Sequence, residues 1–172
     1  MNSQVSATEV PVSSEIARSL SGADFHDCYQ FPINTNTPSA LELYLMIIRK
    51  TPAWVNRLMS IRNRVVTLFG LKNLGLLNEF KEKPVSAYRV GDRIGIFSLQ
   101  YLSENEIILG DSDKHLNVKI SVFKQSKGEQ HCVALTTVVH THNVLGRVYM
   151  FFVAPAHKII APAVLTKGLL SA

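Results

Sequence analysis

The chain is poor in most features that would reveal a function directly. Of its 172 residues only Cys28 and Cys132 are cysteines, and both lie in apolar, strand-like stretches. A disulfide scaffold carries more, so reduced thiols in a cytoplasmic protein are expected. Lys/Arg tracts and basic strands interleaved with aromatics are missing too. The 18 Lys and Arg against 13 Asp and Glu leave a net charge of +5, but the charges are scattered. Their densest spots are Lys81-Glu82-Lys83 and the set Arg57, Arg62 and Arg64, so a nucleic-acid partner is not expected. The start of the chain has no charged segment followed by an apolar one, hence no secretory leader is expected. The most apolar stretch, Val144 to Leu165, is interrupted by Arg147, His157, Lys158 and two prolines. A spanning helix wants about 20 predominantly apolar residues, and this stretch reads as a buried helix with no membrane span. There is no nucleophile–base–orienter order, no Gly-rich phosphate loop and no paired carboxylates at glycosidase-like spacing.

What the chain does have is apolar material. Apolar residues make up 47% and charged residues 18%, enough to build one core and too little charge for disorder. A polar, aperiodic stretch over residues 1–10 predicts a flexible tail, and residues 11–172 read as a single domain. Pro11 to Leu20 predicts a short helix capped by Ser13 or Ser14 and ended by Gly22. Ala23 to Ile33 alternates: Phe25, Tyr29, Phe31 and Ile33 fall on one side, His26, Cys28 and Gln30 on the other, as in a half-buried strand. Ser39 to Lys50 is apolar nearly all round and predicts a helix buried on every side. Pro52 opens a second helix with the stripe Trp54, Leu58, Ile61, Val65 and Leu68, stopped by Gly70.

The second half changes period. Strands are predicted over Arg93–Tyr101, Asn105–Leu109, His115–Phe123 and Gln130–Thr141. Short polar turns join them, so neighbours should pair antiparallel. In the third, Leu116, Val118, Ile120 and Val122 face one way and His115, Asn117, Lys119 and Ser121 the other. Asn143 caps a last helix running toward Leu170, with the stripe Leu145, Tyr149, Phe152, Ala156 and Ile159 and kinks expected at Pro155 and Pro162. The expected fold class is α+β: a curved antiparallel sheet with two short helices after its first strand and a long, proline-kinked C-terminal helix packed on the sheet.

Several segments taken in order resemble one family. They are Gly22-Ala23-Asp24-Phe25, Pro52-Ala53-Trp54 with Ile61-Arg62-Asn63, Val90-Gly91-Asp92-Arg93-Ile94-Gly95, Asp113-Lys114-His115-Leu116, and Leu145-Gly146-Arg147-Val148-Tyr149 followed by His157. Over about residues 11–168 the chain is similar to the bacterial domain-of-unknown-function family numbered 2867. It departs from that pattern at Asn117 and Lys119, where Asp and Arg are usual. The family in turn resembles the helix-grip superfamily of START and Bet v 1-like proteins, whose element order this chain shares. That resemblance implies an apolar cavity between the sheet and the last helix, and no catalytic residues.

Candidate residues follow from the chemistry of each side chain. Arg147 sits early in an apolar helix, with Lys158 about 20° away around it, and could hold a carboxylate bidentately at the edge of a cavity. Tyr44, Trp54, Tyr149 and Phe152 are the aromatics that could line it. His115, His157 and Tyr149 are the acid–base candidates if the scaffold carries a cyclase or isomerase. His140 and His142 share one side of a strand with Cys132, yet no third ligand is nominated. Asp111, Asp113 and His115 read as a hairpin turn before a cation site. No metal or cofactor is expected. The leading expectation is a carrier of a small apolar or amphipathic molecule. The rivals are an enzyme on the same scaffold and a structural or partner-binding module with a filled core.

Overall fold

The computed structural model describes residues 5–33, 38–68, 73, 75–128 and 130–169. Ser6–Ala7 form β1, and a 3-10 helix over Glu15–Ser19 leads to β2, Phe25–Ile33. Two helices follow, α1 (Ala40–Arg49) and α2 (Ala53–Leu68). A second 3-10 turn, Val85–Ala87, precedes β3 (Arg93–Ile94), β4 (Phe97–Leu102), β5 (Glu106–Ser112), β6 (Leu116–Lys127), β7 (Gln130–Thr141) and α3 (Val144–Leu169). The strands form one antiparallel sheet in the order β1-β2-β7-β6-β5-β4-β3. The α+β class, the two helices after β2 and the long last helix packed on the sheet are as the sequence predicts.

Helix α1 is the centre of the core. It starts at a capping box, in which Ser39 Oγ accepts from the Glu42 amide and the Glu42 carboxylate accepts from the Ser39 amide. Leu41, Leu43, Tyr44, Leu45, Ile47 and Ile48 are all buried, which fits a helix apolar on every side. The sheet meets it with Phe31, Leu99, Ile107, Leu109, Val122 and Val133, and Val118 and Ile120 pack at the rim of that cluster. The C-terminal half of α3 closes over α1 with Ala161, Val164, Leu165 and Leu169. At Gly168 an added Cβ would lie 2.6 Å from the Ile47 Cα, so only glycine lets the two helices come this close.

The opposite face of the sheet is covered as well, by the segment before β2. Val10 and Ile16 bury against Cys28, Ile108, Ala134 and Val138, with Ala17, Leu20 and Ala23 at the edge. Residues 6 and 7, expected in a flexible tail, pair with Gln30 and Tyr29. The helix expected over Pro11–Leu20 is only the 3-10 helix. Ser14 does not cap it; its hydroxyl donates to the Pro11 carbonyl at 2.6 Å. The first two amides of that helix, those of Glu15 and Ile16, donate instead to the Glu106 carboxylate at 2.7 and 3.2 Å. Ser121, expected on the outward side of β6, is on that side but fully buried, donating to Glu106 at 2.7 Å.

One expected strand is in fact a hairpin. Arg93–Tyr101 divides into β3 and β4, because Gly95 turns the chain with φ of +63°. An added Cβ there would lie 2.3 Å from the Leu77 carbonyl oxygen. The meander therefore has five strands, and β5 runs on through Gly110-Asp111-Ser112, which the sequence suggested as a turn. The Gly70 stop and the expected helix end at Leu170 lie outside the described residues.

Candidate functional site

The residues the sequence nominated are dispersed in the fold. Tyr44 is buried in the α1 core with no partner for its hydroxyl among the described residues, and burial pushes that phenol up. Trp54 is 42% exposed on α2 and Phe152 70% exposed on α3. Arg147 is exposed on α3, near enough to Asp24 to help lower that carboxyl. Tyr149 is half-buried, and its hydroxyl accepts from Arg62 Nε at 3.0 Å while the guanidinium lies over its ring.

The two histidine candidates sit in separate structural contacts. His115 is buried at the turn before β6, where its Nδ1 lies 3.2 Å from Asn143 Oδ1. Asn143 caps α3 by accepting from the Gly146 amide at 3.1 Å. Asp113 accepts from the amides of His115 and Leu116 at 2.7 and 3.0 Å and so serves the turn, while Asp111 lies in β5. His157 lies two residues after Pro155, its Nδ1 2.8 Å from Asp27 Oδ2, and ties the middle of α3 to β2. His140 Nε2 lies 3.1 Å from the Ser21 carbonyl oxygen. Among the described residues no three His, Cys, Asp or Glu side chains are grouped as metal ligands. Burial pushes the Cys28 thiol up, and Thr136 donates to its sulfur.

Two hollows border the described residues, one away from α3 and one at the edge where β2 meets Lys158 of α3. One of about 320 Å³ lies between the start of α1 and the Val85–Ala87 turn, beside Tyr88 and Arg89. The other, of about 380 Å³, lies beside β1 and β2 and is bordered by His26, Asp27, Tyr29 and Lys158.

A surface stands out instead. The α2 stripe read from the sequence is exposed at Trp54, Leu58, Ile61 and Val65. On α3, Val144, Val148, Phe151, Phe152 and Ile159 are exposed, Phe151 at 75% and Ile159 at 68%. The reason is geometric: α1 fills the central space against the sheet, α2 reaches that core with Val55 and Met59, and the first half of α3 meets the sheet through Gly146 and His157, which leaves both stripes uncovered among the described residues. The two helices touch through Arg62 and Tyr149, and each apolar stripe lies about a quarter turn away from that contact. On the far side of each stripe stand cations, Arg57 and Arg64 on α2, Arg147 and Lys158 on α3, all exposed. Val144–Leu169 is long and apolar enough to cross a membrane by length and composition, and 17% of its most apolar window is buried. The expected burial of this helix therefore holds mainly for its C-terminal part, from Ala161 on, with Gly146 and Met150 buried before it.

Residues 19–164 match the model of a family described as Protein of unknown function (DUF2867). The chain belongs to this family. No curated protein and no solved structure matches it. The DUF2867 match takes in β2 through most of α3, and so the whole exposed stripe from Trp54 to Ile159. Sequence reasoning missed this face because periodicity gives the direction of a stripe without its cover. A usable signal was present, since all 13 Asp and Glu lie outside α2 and α3.

Proposed function

We propose that this domain is a binding module with a filled interior, and that its working surface is the exposed apolar face of α2 and α3. The observation that carries the reading is that face itself. Scattered apolar residues on a surface are ordinary, whereas two neighbouring helical stripes that include Trp54, Phe151 and Phe152 mark an interaction site. Support also comes from the interior, where α1 occupies the space a carrier would leave for its ligand. The enzyme reading has less behind it, because His115, His157 and Tyr149 each hold a structural partner and do not converge.

The small-ligand reading keeps one support. The sheet order with its long last helix is compatible with a helix-grip scaffold, and fold-level analogy is a weak warrant for function. An apolar fluorescent probe separates the readings. The folded protein should bind it, and Phe151→Ser with Phe152→Ser should abolish most of the signal while far-UV circular dichroism stays the same. Probe binding indifferent to that pair would defeat the surface reading, and an apolar ligand retained in native mass spectrometry would restore the carrier.

A further inference from the structure

We propose that the α2–α3 face docks on the surface of an anionic lipid bilayer, with Trp54, Leu58, Phe151, Phe152 and Ile159 in the headgroup–acyl boundary and the flanking cations against lipid phosphates. The inference rests on the reading of this face as the working surface and names its partner.

Charge decides the occupant. Neither helix carries an Asp or Glu, while α2 has Arg57, Arg62 and Arg64 and α3 has Arg147, Lys158 and Lys167. By helical arithmetic Arg57 and Arg64 lie about 60–80° to one side of the α2 stripe, and Arg147 and Lys158 about 60–80° to one side of the α3 stripe. Arg62 and Tyr149 lie between the stripes. The face is thus apolar in the middle and cationic on its two outer edges. A second copy of this chain would bring like charges together at those edges. Lipid phosphates complement them, and a mixed Trp, Phe and aliphatic face with a basic border is what an interfacial helix presents.

The same residues say how the helix sits. The second half of α3 is held in the core by Ala161, Val164, Leu165 and Leu169, and its middle is held to β2 by the His157–Asp27 contact. Insertion across a bilayer would pull both apart. The helix, about 39 Å long, lies along the surface with its exposed half against the lipid.

Trp54 is the only tryptophan in the chain, so its emission reads the docking directly. The full chain is mixed with vesicles of phosphatidylcholine alone, or with about a third phosphatidylglycerol. Three proteins are compared: wild type, Phe151→Ser with Phe152→Ser, and Arg57→Gln with Arg64→Gln and Lys158→Gln. All five positions are exposed, and circular dichroism checks the fold. Wild type should sediment with the anionic vesicles and shift its emission to the blue. The three-charge variant should lose about a hundredfold in partitioning, the phenylalanine pair should lose a comparable amount, and about 0.5 M salt should reverse binding by wild type. Binding to neither vesicle, or equal binding to both, overturns the proposal. So does a dimer on sizing that the phenylalanine pair dissociates in the absence of vesicle binding. In those cases probe binding that still depends on Phe151 and Phe152 leaves the surface reading standing, and probe binding that does not takes both down.

Discussion

Removing the Glu106 carboxylate should detach the cover of the outer sheet face. Glu106 is 3% exposed, the first residue of β5, and it accepts from the amides of Glu15 and Ile16 and from the Ser121 hydroxyl. The first two donors belong to the 3-10 helix, about ninety residues away in sequence, which has no side-chain cap of its own. Glu106→Ala leaves three donors without an acceptor. A buried unsatisfied donor costs about 1–3 kcal/mol. Water reaching the opened site offsets part of this, so about 3–4 kcal/mol is expected, a large share of the ~5–15 kcal/mol of a typical domain. For a chain of this size that is about 6–16 °C in Tm.

The loss should also have a location. Val10, Ile16 and their neighbours cover Ile108 and Val138 only while the 3-10 helix is docked, whereas the α1 core is on the other face. Hydrogen exchange should therefore rise at residues 8–20 in the mutant well before it rises in α1. A double-mutant cycle with Ser121→Ala should give a coupling of about 0.5–3 kcal/mol, because the two side chains touch. A Glu106→Ala urea midpoint within error of wild type, or exchange that rises equally in α1, would refute the reasoning.

Gly146→Ala should destabilise by about 2–4 kcal/mol in thermal melts, because the new Cβ would lie 2.2 Å from the His115 carbonyl oxygen; a neutral result would mean the α3 start is free to shift. The amide and hydroxyl of Thr141 hold the Asp24 carboxyl below its ordinary value, and the Ser39 hydroxyl and amide do the same for Glu42. Folded values lower than unfolded ones give stability that is present above about pH 4 and lost as pH falls through the folded values, so Asp24→Asn should flatten the acid limb of a pH–stability curve; an unchanged limb counts against the Thr141 contacts. Val118→Asp should cost more than Lys119→Asp in urea melts, since a buried carboxylate on the core side has no partner. Lys119 still contributes, as its Nζ donates to Ser19 Oγ at 3.1 Å, and equal losses would contradict the register of β6.

How much of this was legible depends on how local the cause is. Strands β2 and β6 follow from period two, β7 from its Val- and Thr-rich composition, and α1 from its unbroken apolar composition, because each signal lies within the element. The Asn143 cap and the Asp113 turn were readable for the same reason. The hairpin at Gly95 was hidden, since its positive φ is tied to a close approach by Leu77, outside any local pattern. The cover of the outer face was hidden for a stronger reason. Its 3-10 helix is anchored by a carboxylate from the meander, and nothing within Pro11–Leu20 announces that anchor.

A stripe at helical spacing does not by itself say what covers it, and on the sheet face that α1 packs against, α1 takes the central place. The helices that remain keep an apolar stripe with a different polar border. Helix α1, which serves the core, carries both Glu42 and Arg49. Helices α2 and α3 carry cations only. A helix whose polar side only has to face water gains nothing from excluding one sign of charge, and mixed signs support it through i,i+4 pairs. Exclusion of acids from two neighbouring helices, together with outward-facing Trp54, Phe151 and Phe152, instead fits a surface selected by what it touches. On the proposal that the α2–α3 face is the working surface, the charge pattern of these helices separates it from a core face where apolar period alone does not.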